Sequence, residues 1–183
     1  MHETERVKQQ VLEAGFSCLL CGACCSGPDN EVMVSPPEIE MLAEATGMSC
    51  DEIAEPYPEW MQQGGCTFTF GWVLRRGEDG SCIFLENNRC RVYQNRPHIC
   101  RTYPFMLDGE ELIVSECPGC SKERVTEDAG QITKDLLRRR DAEDRELEKT
   151  EKQYQKHSIS TGSTIVFDSN GAHEYSPTRK NHD

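Results

Sequence analysis

The chain has 183 residues, room for one ordinary domain with an appendage and too few for a large multidomain enzyme. Hydrophobic residues make up 36%, charged residues 28% and aromatics 7%, with a mean hydropathy of -0.67, so the apolar supply is thin and something besides a core must help hold the fold. The net charge is -12, and residues 1–120, with 8 basic and 19 acidic side chains, carry -11 of it; a surface this acidic repels phosphate backbones and anionic lipid, which argues against nucleic-acid and membrane partners and for a protein or a metal.

Residues 3–14 read as an amphipathic helix, with Val7, Val11 and Leu12 on one side and Gly15 as its stop. A cysteine loop follows at once. Residues 31–34 then suit a short strand, and Ser35-Pro36-Pro37-Glu38 is a strong helix start: Ser35 can cap, Pro36 fits the first turn and Glu38 completes a capping box. That helix is predicted to run to about Gly47. Ser49-Cys50-Asp51-Glu52 repeats the box and opens a second short helix, which Pro56 and Pro58 should end. From Thr67 the period changes, and Phe68, Phe70 and Trp72 alternate with Thr67, Thr69 and Gly71 as on one face of a strand. A hairpin is expected there, turning at Gly77-Glu78-Asp79-Gly80 and returning through 81–85, and 112–114 suit one more strand.

Residues 121–157 differ in kind: twenty of the 37 are charged, Gly130 is the one glycine, and Val125, Ile132, Leu136, Leu147 and Tyr154 thin out along them. They predict a long helix whose first half packs on the core and whose second half is solvated or docks a partner. Residues 158–183, rich in Ser, Thr, Asn and Gly, read as a flexible tail, with 163–167 as a candidate strand or docking segment. The expected fold is therefore α+β: a small, irregular, metal-stapled domain over 1–120 with a short hairpin and helices, then a long C-terminal helix over 121–157 and the tail. No apolar run nears the roughly 20 residues of a membrane helix, and the opening MHETERVKQQ is charged and lacks a signal-peptide apolar region; both predict a cytoplasmic location.

Eleven cysteines in such a chain read in a reducing cytoplasm as metal ligands rather than disulfides. The strongest signal is Cys18-Leu19-Leu20-Cys21-Gly22-Ala23-Cys24-Cys25. Two-residue gaps let successive thiolates turn onto a centre about 2.3 Å from each sulfur. Gly22 suits a chain wrapped round a metal. Adjacent Cys24 and Cys25 are expected to point apart, as ligands for two neighbouring centres or a polynuclear one. Downstream, Cys82, Cys90, Cys100 and Cys117 bring the strong candidates to eight, two tetrahedral sets. Cys50 reads as a small buried side chain, while Cys66 and Cys120 are open. Cys18, Cys21 and Cys24 match the start of a bacterial ferredoxin run whose fourth position is Pro28 here, and Cys117-Pro118 could supply the remote Cys-Pro element. That points to a 4Fe-4S cluster; closed four-cysteine sites in small loop-rich domains point instead to zinc.

Four of the eight basic residues in 1–120 flank Cys90 and Cys100: Arg89, Arg91, Arg96 and Arg101. They would offset thiolate charge or bind an anionic cofactor or substrate, the alternative being surface arginines on a turn. His98 reads as a hydrogen-bonded or exposed side chain more than a ligand, and Tyr93, Tyr103 and Phe105 as core. There is no phosphate-cradling glycine loop, dinucleotide fingerprint, HExxH pair or nucleophile elbow in the sequence, which argues against an autonomous nucleotide-dependent enzyme. Catalytic residues are not identified by this pattern.

At these residues the chain resembles the YkgJ-type cysteine-cluster family of zinc- or iron-chelating CxxCxxCC domains. The resemblance runs through Cys18-x2-Cys21-Gly22-Ala23-Cys24-Cys25, Val32-Met33-Val34-Ser35, Cys82-Ile83-Phe84-Leu85, Arg89-Cys90-Arg91-Val92-Tyr93, then Arg96-Pro97-His98-Ile99-Cys100-Arg101-Thr102-Tyr103-Pro104-Phe105 and Cys117-Pro118-Gly119. It implies a cysteine-ligated zinc or iron-sulfur centre; with an iron-sulfur cluster, the expected use is redox, sensing or catalytic, or accessory to a larger protein system. Because flagellin lysine-N-methylase joins such a domain to protein methylation, a place in a methylation system is also implied. Cys120 and the helix over 121–157 lie outside the resemblance and suit docking of a protein partner, which with structural zinc would make the chain an adaptor.

Overall fold

The computed structural model describes residues 2–26, 31–158 and 160–176; Pro28, with its place in the ferredoxin pattern, and the last seven residues of the expected tail lie outside the described residues. Helix α1 (Glu3–Ala14) forms as the periodicity predicts. Val7 and Val11 are fully buried, one turn apart, whereas Leu12 is 42% exposed and not part of the buried stripe, because one residue on is a 100° step round the helix. Gly15 stops the helix at φ 64°, and a Cβ there would stand 2.1 Å from the Ser121 carbonyl oxygen. Gly15→Ala is expected to cost about 1–3 kcal/mol in urea denaturation, since backbone, not a pliable side chain, is in the way.

Strand β1 (Met33–Val34) leads into α2 (Pro36–Thr46), where the capping box forms: Glu38 Oε2 accepts from the Ser35 amide at 2.9 Å and its hydroxyl at 2.8 Å. The second box, Ser49 with Glu52, opens only one turn, α3 (Cys50–Ile53). The chain becomes extended before either proline, as β2 (Ala54–Pro56). Then come β3 (Met61–Gln63), β4 (Cys66–Phe70) and β5 (Trp72–Leu74). The expected single strand with three aromatics is thus two strands in different sheets. β4 pairs with β3, while past Gly71 the chain pairs with β1 and β2 on either side of β5. The turn at 77–80 is present, with the Gly77 amide on Ser81 O at 2.8 Å, but the hairpin shrinks to one bridge between Arg76 and Cys82. Residues 81–85 carry no full return strand, and β6 (Leu85–Glu86) pairs instead with β7 (Arg89–Cys90).

Helix α4 (His98–Thr102) starts with the His98 amide on Glu38 Oε1 at 2.8 Å, so one carboxylate fixes the starts of two helices. Strands β8 (Phe105–Asp108) and β9 (Glu111–Val114) form a hairpin that contains the strand expected at 112–114. The long helix α5 (Ala129–Lys156) has 28 residues and begins eight residues later than expected. Its first half buries Ala129, Thr133, Leu136 and Arg139 against α1 and α4.

The second half of α5 is mostly exposed, as expected, but one face of its end packs on the chain's own strands. Tyr154 packs against Phe68, Phe70 and Phe167 at ring separations of 5.5, 5.3 and 5.2 Å. Phe167 belongs to β10 (Thr164–Asp168), which with β11 (Gly171–Glu174) builds a sheet in the order β11-β10-β4-β3, β10 running parallel to β4. These residues of the expected flexible tail are therefore strands, held by backbone pairing and apolar burial, and the candidate strand at 163–167 is where they begin. The Trp72 indole joins the two sheets by donating to Asp168 Oδ2 at 2.7 Å.

The buried apolar side chains fall in three clusters. One lies around Leu42, Ile53, Leu74 and Phe84, a second around Val7, Val11, Phe105 and Leu136, and a third around Cys66, Phe68, Ile165 and Phe167. The architecture is α+β with a long C-terminal helix. Among the described residues no helix is long and apolar enough to cross a membrane.

Candidate metal centre

A cavity of about 590 Å³ opens between the first two clusters, and Cys18, Cys21, Cys24, Cys25, Cys82, Cys90, Cys100 and Cys117 all line it. Three chain segments with little regular structure deliver them, and backbone hydrogen bonds set their order. Gly22, at φ 73°, turns the loop into a 3-10 turn over Ala23–Cys25. There the Cys24 and Cys25 sulfurs stand 3.8 Å apart instead of pointing apart. That is about the sulfur-sulfur edge of a tetrahedron with sulfurs some 2.3 Å from an ion, so adjacency does not bar both from one centre. The Cys82 amide donates to Cys25 O at 2.8 Å, and Cys90 faces Leu85 across β6 and β7. At the other end, Ser17 N donates to Gly119 O at 3.1 Å and Phe16 bridges to Cys120, which ties the start of the loop to Cys117-Pro118-Gly119-Cys120. The Gly119 amide points at Cys117 Sγ, 3.3 Å away.

The electrostatics divide the sulfurs. A hydrogen bond from Cys25 holds Cys24 down to about 6 and Cys90 likewise to about 6, while Cys25, which keeps the proton between them, is raised. Burial, followed by the charges of Cys82, Cys24 and Cys90, pushes Cys100 up to about 12, and burial raises Cys82. Cys24, Cys25, Cys82, Cys90 and Cys100 thus act on one another as one group. Cys120 is raised by burial and then by Cys117. The Tyr103 phenol, raised first by its own burial, feels Cys117, Cys24, Cys120 and Cys21, which sets it between the two ends.

All eleven cysteines are free thiols. Among the described residues no three Cys, His, Asp or Glu side chains stand in a finished coordination arrangement; the sulfurs line the wall. The donor set nonetheless fits a cationic metal group, because so many thiols facing one volume raise one another's cost of ionisation unless a cation offsets it.

Of the four arginines, Arg89 and Arg96 line the cavity. Arg96 lies over the Tyr93 ring at 3.7 Å and donates to Cys100 O at 3.3 Å. Arg91 lies over the Phe84 ring at 5.8 Å and reaches the Met48 sulfur. Arg101 donates to the carbonyls of Arg96 and Gln94. Neither Arg91 nor Arg101 lines the cavity, so the expected group of four divides in two. His98 is engaged through its backbone at Glu38 and does not line the cavity either. Phe105 is core at 1% exposure, but Tyr93 is 38% exposed, and both tyrosines expected in the core are cavity wall. Cys50 is exposed, contrary to expectation, and Cys66 is buried in the third cluster away from the cavity.

Two residues escaped the sequence reading. Cys120, open in the sequence although Cys117-x2-Cys120 repeats the spacing of Cys18-x2-Cys21, stands beside Cys117 and does not itself line the cavity. Arg139, 8% exposed, lines the cavity from α5; no local pattern sets it apart from its neighbours Arg138 and Arg140.

Residues 17–121 match the CxxCxxCC family, described as a "putative zinc- or iron-chelating domain". A curated relative, "Uncharacterized protein MJ0661" of Methanocaldococcus jannaschii, is 28% identical over 110 residues, 57% of this chain and 54% of its own length, so the chain spans about half of that relative. No solved structure matches the chain.

Proposed function

The chain belongs to the CxxCxxCC family, and from that premise we propose that it is a cysteine-ligated metal protein with two centres, serving a redox or sensing role for a larger protein system in a reducing cytoplasm. The observation that carries this reading is the single cavity lined by eight cysteines. Cys18, Cys21, Cys117 and Cys120 form two C-x2-C pairs and suit a closed four-sulfur site such as zinc. Cys24, Cys25, Cys82, Cys90 and Cys100, which act on one another as one group, suit an iron-sulfur cluster, with one sulfur in excess of the four such a cluster needs. Such a cluster would supply one-electron chemistry. The chain's own part is to hold the sulfurs, exclude water with Phe84 and Phe105 and place positive charge nearby. Leu19 and Leu20, 47% and 51% exposed, stand between two ligands at the mouth and favour access by a partner there. One face of the far end of α5 packs on the chain's own strands, which leaves less of that end to serve an adaptor.

Metal and acid-labile sulfide analysis of protein purified without oxygen tests this. Iron with matching sulfide, a broad visible sulfur-to-iron absorption and zinc in addition is the expected result. Cys120→Ser should release the zinc and keep the iron, and Cys90→Ser should do the reverse. Zinc alone in a colourless protein would make both centres staples and move the search to a docking partner.

A further inference from the structure

Arg139 is buried in a way its own ion pair does not explain. It sits on the inner stripe of α5, 8% exposed, outside the matched residues 17–121. Its Nη1 donates to Thr102 Oγ1 at 3.1 Å and its Nε to Glu143 Oε1 at 2.6 Å. Thr102 is neutral. The Glu143 side chain is 58% exposed against 10% for Arg139, so water screens most of that carboxylate. A guanidinium taken this far out of water needs countercharge, and the cavity it lines holds the sulfurs of eight cysteines. α5 packs on α4, which carries Cys100, and the Thr102 hydroxyl that receives Arg139 donates in turn to His98 O at 3.1 Å. The arginine is therefore fixed relative to the ligand-bearing helix.

We propose that Arg139 is a charge-compensating residue for the cysteine centre: the C-terminal helix supplies, from outside the cysteine domain, a buried cation that offsets the ligating thiolates and raises metal affinity. This rests on the metal-binding reading above. Four thiolates on one divalent ion leave a net charge of about -2; the half-buried Arg96 already acts on Cys24, Cys90 and Cys100, the exposed Arg89 is screened by water, and Arg139 adds a second, more deeply buried cation. Arg139 also gives α5 a reason to close over the cavity beyond apolar packing.

Full-length protein, stripped and titrated with Co²⁺ against a competing chelator, provides the test, read in the sulfur-to-cobalt absorption. Arg139→Met keeps the buried stem, loses the charge, and should weaken Co²⁺ binding by about 10- to 100-fold. Arg139→Lys should restore most of the loss, and Glu143→Gln, which leaves the guanidinium and removes its competing carboxylate, should bind as tightly as wild type or tighter. Equal affinity in wild type and Arg139→Met overturns the proposal, as does weakening by Arg139→Lys as large as by Arg139→Met, which would make the role one of shape. Should Arg139→Met fail to fold by circular dichroism, Glu143→Gln decides: weakened binding would show a structural clasp and overturn charge compensation. A wild-type chain that takes up no Co²⁺ overturns the metal reading itself, and this proposal with it.

Discussion

Stripping the metal is expected to melt the cysteine-bearing half of the chain and leave the β4-β10 sheet the best-protected part. The segments that deliver the ligands have almost no structure of their own. Over 17–26, 82–101 and 115–121 the described elements are two short 3-10 turns, two two-residue strands and the start of a five-residue helix. The cavity lies between two apolar clusters and takes wall residues from both, Phe84 and Val92 from one and Phe105 from the other. Metal held there would staple the clusters together. Structural zinc binding contributes apparent free energies of about 10–16 kcal/mol in small domains, comparable with the whole net stability of about 5–15 kcal/mol of an ordinary domain. A loss of even about 5 kcal/mol lowers the melting temperature of a chain this size by roughly 10–20 °C. Thermal melts with and without metal, together with hydrogen exchange resolved by peptide, check this. Fast exchange should spread through 17–26 and 82–121 while β4 and β10, whose cluster shares no residue with the cavity wall, hold their amides. Equal protection throughout with and without metal would mean that the clusters carry the fold unaided.

What could be read in advance was local. The two capping boxes are chemistry between residues three apart, and both form. The sequence singles out Cys18, Cys21, Cys24, Cys25, Cys82, Cys90, Cys100 and Cys117 as candidate ligands in two tetrahedral sets, and all eight line one cavity. The misses share a different cause. Phe68, Phe70 and Trp72 have the period of one strand, but which sheet a strand joins depends on partners far along the chain: Phe70 pairs beside Phe167, and Trp72 beside Val34 and Pro56. Composition made 158–183 look mobile. Thr164, Ile165, Val166 and Phe167 have strong strand preference, and Thr164–Asp168 is a strand because β4 offers a free edge and Tyr154 of α5, with His157 just after it, supplies a cover. Arg139 was illegible for the same reason, since a charged residue in a charged helix reveals its burial only when the helix has something to lie on.

Phe167→Ala is expected to cost about 3–5 kcal/mol and to release both ends of the chain's second half together, without releasing metal. The ring is fully buried. It meets Phe68 at 5.9 Å, Phe70 at 5.7 Å, Tyr154 at 5.2 Å and His157 at 5.4 Å, so one truncation opens a void facing β4 and the last turns of α5 at once. Each aromatic pair adds about 0.5–1.5 kcal/mol beyond burial, which puts the loss toward the upper part of the range. With the void present, the Tyr154 hydroxyl loses the packing that aims it at Gln63 Oε1, 2.7 Å away. The end of α5, with Leu147 already 61% exposed, then has little to hold it. Urea denaturation followed by circular dichroism should show a smaller helical signal before the main transition, and limited proteolysis should cut first near 157–163. Metal content is the deciding measurement, because Phe167 and the cavity have no wall residue in common. If the variant keeps its metal, the β4-β10 sheet is an addition that the cysteine domain tolerates losing. If metal leaves with the ring, α5 transmits the loss from Tyr154 to Arg139, fifteen residues along one helix, and the two halves fold as one.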